Sequence, residues 1–406
     1  LSVSPVASGV AYAAWLLGHL VLCVAVWNRL HAFPLHHRVL KLFELPLGVW
    51  LVAAPWLFST GSPYAIGCWL LLAWAAGARV RRWRLGPPAA LRSETKVRVD
   101  VAREIASGQG HGPVSMPVSM PVPVSVPVPV SVPVPVSLAG DWVGRWCGAL
   151  PGNEIFSLEI ARKTLAVRGL PPALDGLVIA HLSDLHLTGH VARAYFEYQV
   201  AVANATQPDL AVVTGDILDN WACREWLGDT LGRLRARYGV FFVLGNHDLR
   251  PGPPAELRRL LSELGLIDVG NRTVPVTIRG VNVAITGNER PWFPAPAGAA
   301  NTGVANTSEI EAAAEFRMLL SHSPDQIAWA ARRRFPLMFA GHTHGGQIAL
   351  PLLGPVVSPS LYGTKYASGS FEVDGVVMHV SRGLSGEEPL RWNCPPELAI
   401  LTLTSA

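Results

Sequence analysis

The sequence predicts an α/β domain of two packed sheets flanked by helices, preceded by a helical membrane region. Three observations carry this expectation. Five short apolar runs, each of a length suited to a buried strand, end in potential metal ligands. Helical patterns separate them, and after Gly346 the chain turns to strands and glycines, ending in "ELAILTLTS". The first 84 residues are built from apolar runs near membrane-spanning length.

Residues 10–27 form an apolar run of roughly one bilayer thickness, interrupted by His19. A basic loop follows, with Arg29, Arg38 and Lys41 among His31, His36 and His37. Two shorter runs, 45–58 and 64–78, are joined by the turn-forming "STGSP" and closed by "RVRRWR" at 79–84. Trp15, Trp27, Trp50, Trp56, Trp69, Trp74 and Trp83 suit the interfacial belts of a membrane protein. Neither a cationic n-region nor an A-x-A-like site is evident, so a cleaved signal peptide is not expected. Both basic clusters belong on the cytoplasmic side. Three spans satisfy this, with everything after Arg84 in the cytoplasm.

Residues 85–137 read as a linker ending in "PVSMPVSMPVPVSVPVPVSVPVPVS". Proline at alternate positions forbids a helix or a central strand and favours polyproline II. At about 3.1 Å per residue such a repeat is a stiff spacer of roughly 75 Å. Residues 138–406 are globular in pattern. "EIFSLEI" and "TLAVRGL" look like paired strands. Helices are expected over 255–264, which follows two prolines and stops at Gly265, and over 325–334, which ends in basic residues as the helix dipole prefers. Ser308 with Glu311 forms a capping-box pattern before another.

Composition narrows the function. A chain of 406 residues, 50% hydrophobic, can bury a large core, and a net charge of +4 makes no case for nucleic acid. Five scattered cysteines without a CxxC pair argue against a disulfide framework and a thiolate metal site.

The strand ends carry the chemistry. "LVIAHLSDLH" delivers Asp184 and His186, and "LAVVTGDILD" delivers Asp216. "GVFFVLGNHD" delivers Asn246, His247 and Asp248; "MLLSH" delivers His322; "PLMFAGHTH" delivers His342 and His344. Such residues can converge on one edge of a sheet, with Asp216 as a central carboxylate bridging two ions. Carboxylate, imidazole and amide ligands without thiolate suit Mn²⁺, Fe or Zn²⁺, and a His-rich shell argues against Ca²⁺. Two ions about 3.5–4 Å apart clamp both sides of an in-line phosphoryl displacement, attacked by a bridging hydroxide formed near neutral pH. His247 is placed to protonate the leaving oxygen, with Asp248 expected to hold it. Arg382 and Arg391 are candidates for the substrate phosphate, or equally for structural salt bridges; His181, His190 and His379 read as structural.

In order, "DLH", "GDILD", "GNHD", the isolated "SH" and "GHTH" resemble the five motifs of calcineurin-like metallophosphoesterases. The resemblance covers roughly 170–403, and "GHTHGGQIALP" and "SRGLSGEEPLRWNCPPEL" look like the membrane-associated bacterial branch. It implies a four-layer αββα sandwich. It also implies one metal on Asp184, His186, Asp216 and His344, and a second on Asp216, Asn246, His322 and His342, with His247 as the acid. Asp219 is expected to orient its neighbours rather than to bind metal. "GNERPWF" at 287–293 departs from that branch, which puts specificity in question.

Two classes of function follow: a metal-dependent phosphoesterase, or a non-catalytic metal-binding scaffold on the same fold. Retention of His247 with the ligand set favours the enzyme, since a scaffold does not need the acid. The membrane anchor favours a phosphodiester or pyrophosphate-linked lipid over a soluble nucleotide or phosphoprotein. Trp292 and Phe293 are placed either to meet acyl chains or to pack in the core.

Overall fold

The computed structural model describes residues 5–33, 37–85, 90–106, 138–293, 307–351 and 354–406. It divides into two compact units: Leu1–Pro88 with Val356–Lys365, and Ala89–Pro355 with Tyr366–Ala406.

The first unit holds three helices, α1 (Pro5–Ala32), α2 (His37–Leu57) and α3 (Pro63–Leu85). Among the described residues, two stretches are long and apolar enough to cross a membrane, Gly9–Ala32 and Val39–Leu57. A shorter apolar stretch, Pro63–Gly77 of α3, falls on the third expected span. His19, which interrupts the first apolar run, lies 2.6 Å from the Tyr64 hydroxyl and 3.1 Å from the Leu51 carbonyl. A polar ring is thus satisfied inside the bundle, as an apolar surrounding requires. Leu42, Val52, Trp56, Leu70 and Trp74 project outward, each at least two-thirds exposed. Asn28 of α1 grips the 356–365 segment, donating to the Val356 carbonyl and accepting from the Ser358 amide.

The second unit contains the remaining elements. Its seven-stranded sheet runs in the order β1 (Leu91–Asp100), β2 (Ser157–Val167), β15 (Glu397–Ser405), β3 (Val178–Leu182), β4 (Leu210–Thr214), β5 (Val240–Val243), β6 (Ile267–Asp268). A six-stranded sheet runs β13 (Gly369–Val373), β14 (Val376–Val380), β10 (Leu337–Ala340), β9 (Phe316–Ser321), β8 (Val281–Asn288), β7 (Thr273–Ile278). A hairpin of β11 (Ala349–Leu350) and β12 (Gly354–Pro355) stands apart. Helices α4 (Val101–Ala106), α5 (Trp142–Gly148), α6 (Arg193–Ala205), α7 (Pro254–Glu263), α8 (Thr307–Ala313) and α9 (Ile327–Arg332) complete the unit.

Three apolar layers explain the stacking. Leu182, Val213 and Phe242 of the first sheet pack with Phe196 and Leu261 from helices. The alternate residues Ile179, Val212 and Phe241 point the other way and meet Ile285, Leu320 and Phe339 of the second sheet. Met338 and Met378, on that sheet's far face, cover Ile327 and Ala330 of α9. Strands buried on both faces, in period two, therefore give a four-layer αββα sandwich.

Two expectations are corrected here. Residues 91–106, read as linker, are β1 and α4; β1 pairs antiparallel with β2 from Leu91 to Asp100. Its charges misled the sequence reading, yet an edge strand tolerates them. The Pro-Val-Ser repeat at 113–137 lies outside the described residues, as do the side chains of 79–84 and Ser308. "EIFSLEI" and "TLAVRGL" are not a pair but parts of one strand, β2. Lys163 does not break it, because its ammonium is buried against Glu397 at 2.6 Å.

Candidate metal centre

Each expected ligand lies just past the C-terminal end of a parallel strand. Asp184 and His186 follow β3, Asp216 follows β4, Asn246 and His247 follow β5, His322 follows β9, and His342 and His344 follow β10. The convergence involves both sheets, three strands from one and two from the other, rather than one sheet edge as expected.

Among the described residues three groups of possible ligands form; one joins His186, Asp219 and His247, and the other two share Asp216. The donor atoms of Asp184, His186, Asp216 and His344 lie within 4.8 Å of one another, as do those of Asp216, His322 and His342. Asp216 Oδ2 is buried with no hydrogen-bond partner, 3.2 Å from His322 Nε2 and 3.6 Å from His186 Nε2. Its other oxygen accepts from the His247 amide at 2.8 Å, so the carboxylate is fixed with Oδ2 turned toward both groups. Asn246 Oδ1 sits 3.1 Å from His322 Nε2, which brings the amide ligand to the second group.

The ligand rings are oriented from behind. His322 Nδ1 bonds to the Thr214 carbonyl at 2.7 Å and His186 Nδ1 to Asp219 at 2.5 Å, which leaves Nε2 of each for a cation. The backbone is bent to the same end. Asp184, His186, Asp216, His342 and His344 all adopt positive φ, between 46° and 71°. This left-handed region is costly for residues with a side chain, and it clusters at functional sites. Side chains also approach backbone closely: a Cβ at Gly341 would collide with Ser183 and Asp184, and one at Gly245 with Asp216.

Charge follows burial and proximity. Burial raises the Asp216 carboxyl, but His322, His247 and His186 outweigh it and hold the group well below the usual range. Burial depresses His186, yet Asp219 foremost pushes it up to about 10; His322 rises to about 9, chiefly through Asp216. Burial raises Asp184. Imidazolium protons thus balance the carboxylates, and a divalent cation would replace them. A buried oxygen without a hydrogen-bond partner, set among imidazoles and carboxylates, fits Mn²⁺, Fe or Zn²⁺.

His247, the expected acid, is held differently from the expectation. Asp248 does not bond the His247 ring. Its oxygens accept from the Ile217, Leu218 and Gly245 amides, which pins the two ligand loops together. Asp219 takes the orienting role: it lies 2.5 Å from His247 Nδ1 while its other oxygen holds His186. Arg382 and Arg391 have internal partners. Arg382 bonds Glu159 at 2.6 Å and Glu397 at 3.3 Å, and Arg391, fully buried, bonds the His344 carbonyl at 2.9 Å.

Sequence reading passed over Arg250 and Glu387. Arg250 Nη1 lies 3.1 Å from both Glu387 and His247 Nδ1, and Glu387 is 3.6 Å from His247 Nε2. No periodicity marks either, since 137 residues separate the pair in the chain. The two aromatics of the departing loop divide: the Trp292 ring lies 4.9 Å from His342 and 5.5 Å from His322, while Phe293 packs on the core beneath Arg258. His190 is structural as expected, bonded to Asp141 at 2.7 Å.

Residues 177–346 match the model of the calcineurin-like phosphoesterase family. The chain is 30% identical over 197 residues to a bovine transmembrane protein with metallophosphoesterase domain, covering 45% of this chain and 43% of that one. It is 27% identical over 233 residues to the phosphodiesterase YaeI of Escherichia coli, covering 55% and 81%. It is 25% identical over 281 residues to the UDP-2,3-diacylglucosamine pyrophosphatase LpxG of Chlamydia trachomatis, covering 56% and 84%.

Proposed function

We propose that this chain, whose residues 177–346 match the calcineurin-like phosphoesterase family, hydrolyses phosphoric ester bonds and uses two divalent cations to cleave a phosphodiester or pyrophosphate bond in a membrane lipid. The observation that carries the reading is Asp216, one carboxylate common to two buried ligand groups. Cations bound there supply Lewis acidity to phosphoryl oxygens and lower the pKa of a water nucleophile. Asp184, His186, Asp216 and His344 would hold the first, and Asp216, Asn246, His322 and His342 the second. His247 then gives a proton to the leaving oxygen from Nε2, its Nδ1 being held by Asp219. Arg250, partly exposed beside His247, is the cationic group available to a phosphate at the mouth.

Lipid as the substrate rests on two supports. Two helices of this chain have the length and composition of membrane spans, which favours a head group that never leaves the bilayer. Trp292, beside two ligand rings, offers an apolar face to whatever the phosphate carries. Metal analysis and kinetics test the reading together. The full chain, purified without chelator and loaded with Mn²⁺, is expected to carry about two ions and to prefer a lipid pyrophosphate over a simple monoester. A metal ratio near zero, or equal kcat/KM for the two substrates, defeats the corresponding half.

The site is proposed to face the cytoplasm, because Arg29, Arg38, Lys41 and the basic run 79–84 flank the apolar helices. Reporters active on one side of the membrane, fused after Ser137, are expected to report the inside. A signal confined to the outside reverses the orientation.

A further inference from the structure

Behind the ligands, between the two sheets, lies a buried polar chain that the hydrolytic steps do not use. Lys163 of β2 is 4% exposed, and His181 of β3 and His379 of β14 are fully buried. Lys163 Nζ lies 2.6 Å from Glu397 and 3.0 Å from His379 Nε2. His379 Nδ1 lies 2.9 Å from His181 Nδ1, and His181 Nε2 lies 2.9 Å from Thr214 Oγ1. Thr214 Oγ1 lies 2.8 Å from Ser183 Oγ. Ser183 precedes Asp184; its hydroxyl lies 3.5 Å from the Thr214 carbonyl and helps to lower the Asp184 carboxyl against the effect of burial.

Hydrogen-bond chemistry fixes the direction of the links from Lys163 to Thr214. An ammonium paired with a carboxylate has donors and no acceptor, so His379 Nε2 must be bare. A neutral His379 then carries its proton on Nδ1 and donates it to His181 Nδ1. His181, accepting there, carries its own proton on Nε2 and donates it to Thr214. The threonine hydroxyl donates to Ser183, whose own proton is shared between the Thr214 carbonyl and the neighbouring Asp184. Reversal at any link from Lys163 to Thr214 would set two protons, or two lone pairs, face to face. Burial agrees with neutral rings: it pushes His181 down to about 3 and His379 well below its ordinary value.

We propose that Lys163, His379, His181, Thr214 and Ser183 form a one-way hydrogen-bond chain that ends on Asp184 and positions this carboxylate, as an acceptor, for a metal ion. Each donor in such a chain polarises the next, and the low dielectric between the sheets strengthens the effect. The terminal hydroxyl therefore presents a more positive proton to Asp184 than an isolated serine would. None of the five side chains is a ligand; they are positioning residues. This inference rests on the metal-site reading above for its effect, but not for its direction.

Two measurements test it in the full chain. In metal-free protein carrying ¹⁵N-labelled histidine, with resonances assigned through His181→Asn and His379→Gln, we expect His379 protonated on Nδ1 and His181 on Nε2. Lys163→Met, which removes the obligate donor, should populate the opposite His379 tautomer. A cationic His379 in the wild type, or one protonated on Nε2, overturns the chain. The second measurement is metal affinity by chelator competition. Thr214→Val keeps the shape of the residue and breaks the chain without stranding a charge. It should weaken metal binding by about 10- to 100-fold, the usual worth of an outer-shell contact. Thr214→Ser, which restores the hydroxyl, should recover most of that loss. A folded Thr214→Val that binds metal as tightly as wild type overturns the positioning role. Expected tautomers in a wild type that takes up no metal would support the direction and defeat the metal site itself.

Discussion

Asp216→Ala is expected to cost more metal and more activity than any other ligand substitution. Asp184→Ala or His342→Ala removes a donor from one group, whereas Asp216 belongs to both. Its loss also strands positive charge. His186 and His322 are pushed up to about 10 and about 9 by the surrounding carboxylates, and Asp216 is the largest support of His322. Removing one member of such a buried set leaves an uncompensated charge, typically a penalty of about 3–5 kcal/mol. The metal-free variant should therefore melt lower than wild type as well as bind less metal. Elemental analysis of Asp216→Ala beside Asp184→Ala and His342→Ala checks the ranking. Equal residual metal in all three would remove Asp216 from its shared position.

The second large effect belongs to His247→Ala. Metal content should persist, because the ring lies outside the two groups that share Asp216. The rate should fall by roughly 10²–10⁴-fold on substrates with poorly stabilised leaving groups, the worth of a positioned general acid. For nitrophenyl esters, whose leaving oxygen needs little protonation, the loss should shrink. An equal loss across leaving groups would take His247 out of the acid role. Asp219→Asn distinguishes holding from donating. It loosens His247 and His186 together, so it should lower both rate and metal affinity, while Asp248 variants should act through the loops that Asp248 ties.

The ligand set was legible because every member stands a few residues beyond a short apolar run, and the chain writes such runs plainly. Asp184, Asp216 and His322 needed no knowledge of which strands are neighbours. The orienting residue did need it. Asp248 is adjacent to His247 in sequence, and adjacency suggested contact, but in a tight turn successive side chains diverge. Asp219, 28 residues away, reaches the ring instead. The same limit hid Glu387 and Arg250, which meet through folding alone. Arg382 and Arg391 show the converse: their position near the site was readable, yet buried carboxylates and carbonyls claimed them. The unity of β2 was hidden in a third way: Lys163 lies between the two segments read as separate strands, and its partner Glu397 comes 234 residues later.

The left-handed backbone at Asp184, His186, Asp216, His342 and His344 bears on any attempt to engineer this protein. Each such residue costs on the order of 1–3 kcal/mol, a burden that glycine would shed. A library sorted for heat resistance in the presence of chelator is thus expected to enrich glycine at the very positions proposed to bind metal. Sorting with metal present reverses the pressure, since ions bound to the native state reward the strained geometry. On the proposed function, robustness and catalysis compete at these five residues, and the metal content of the medium decides which of them wins.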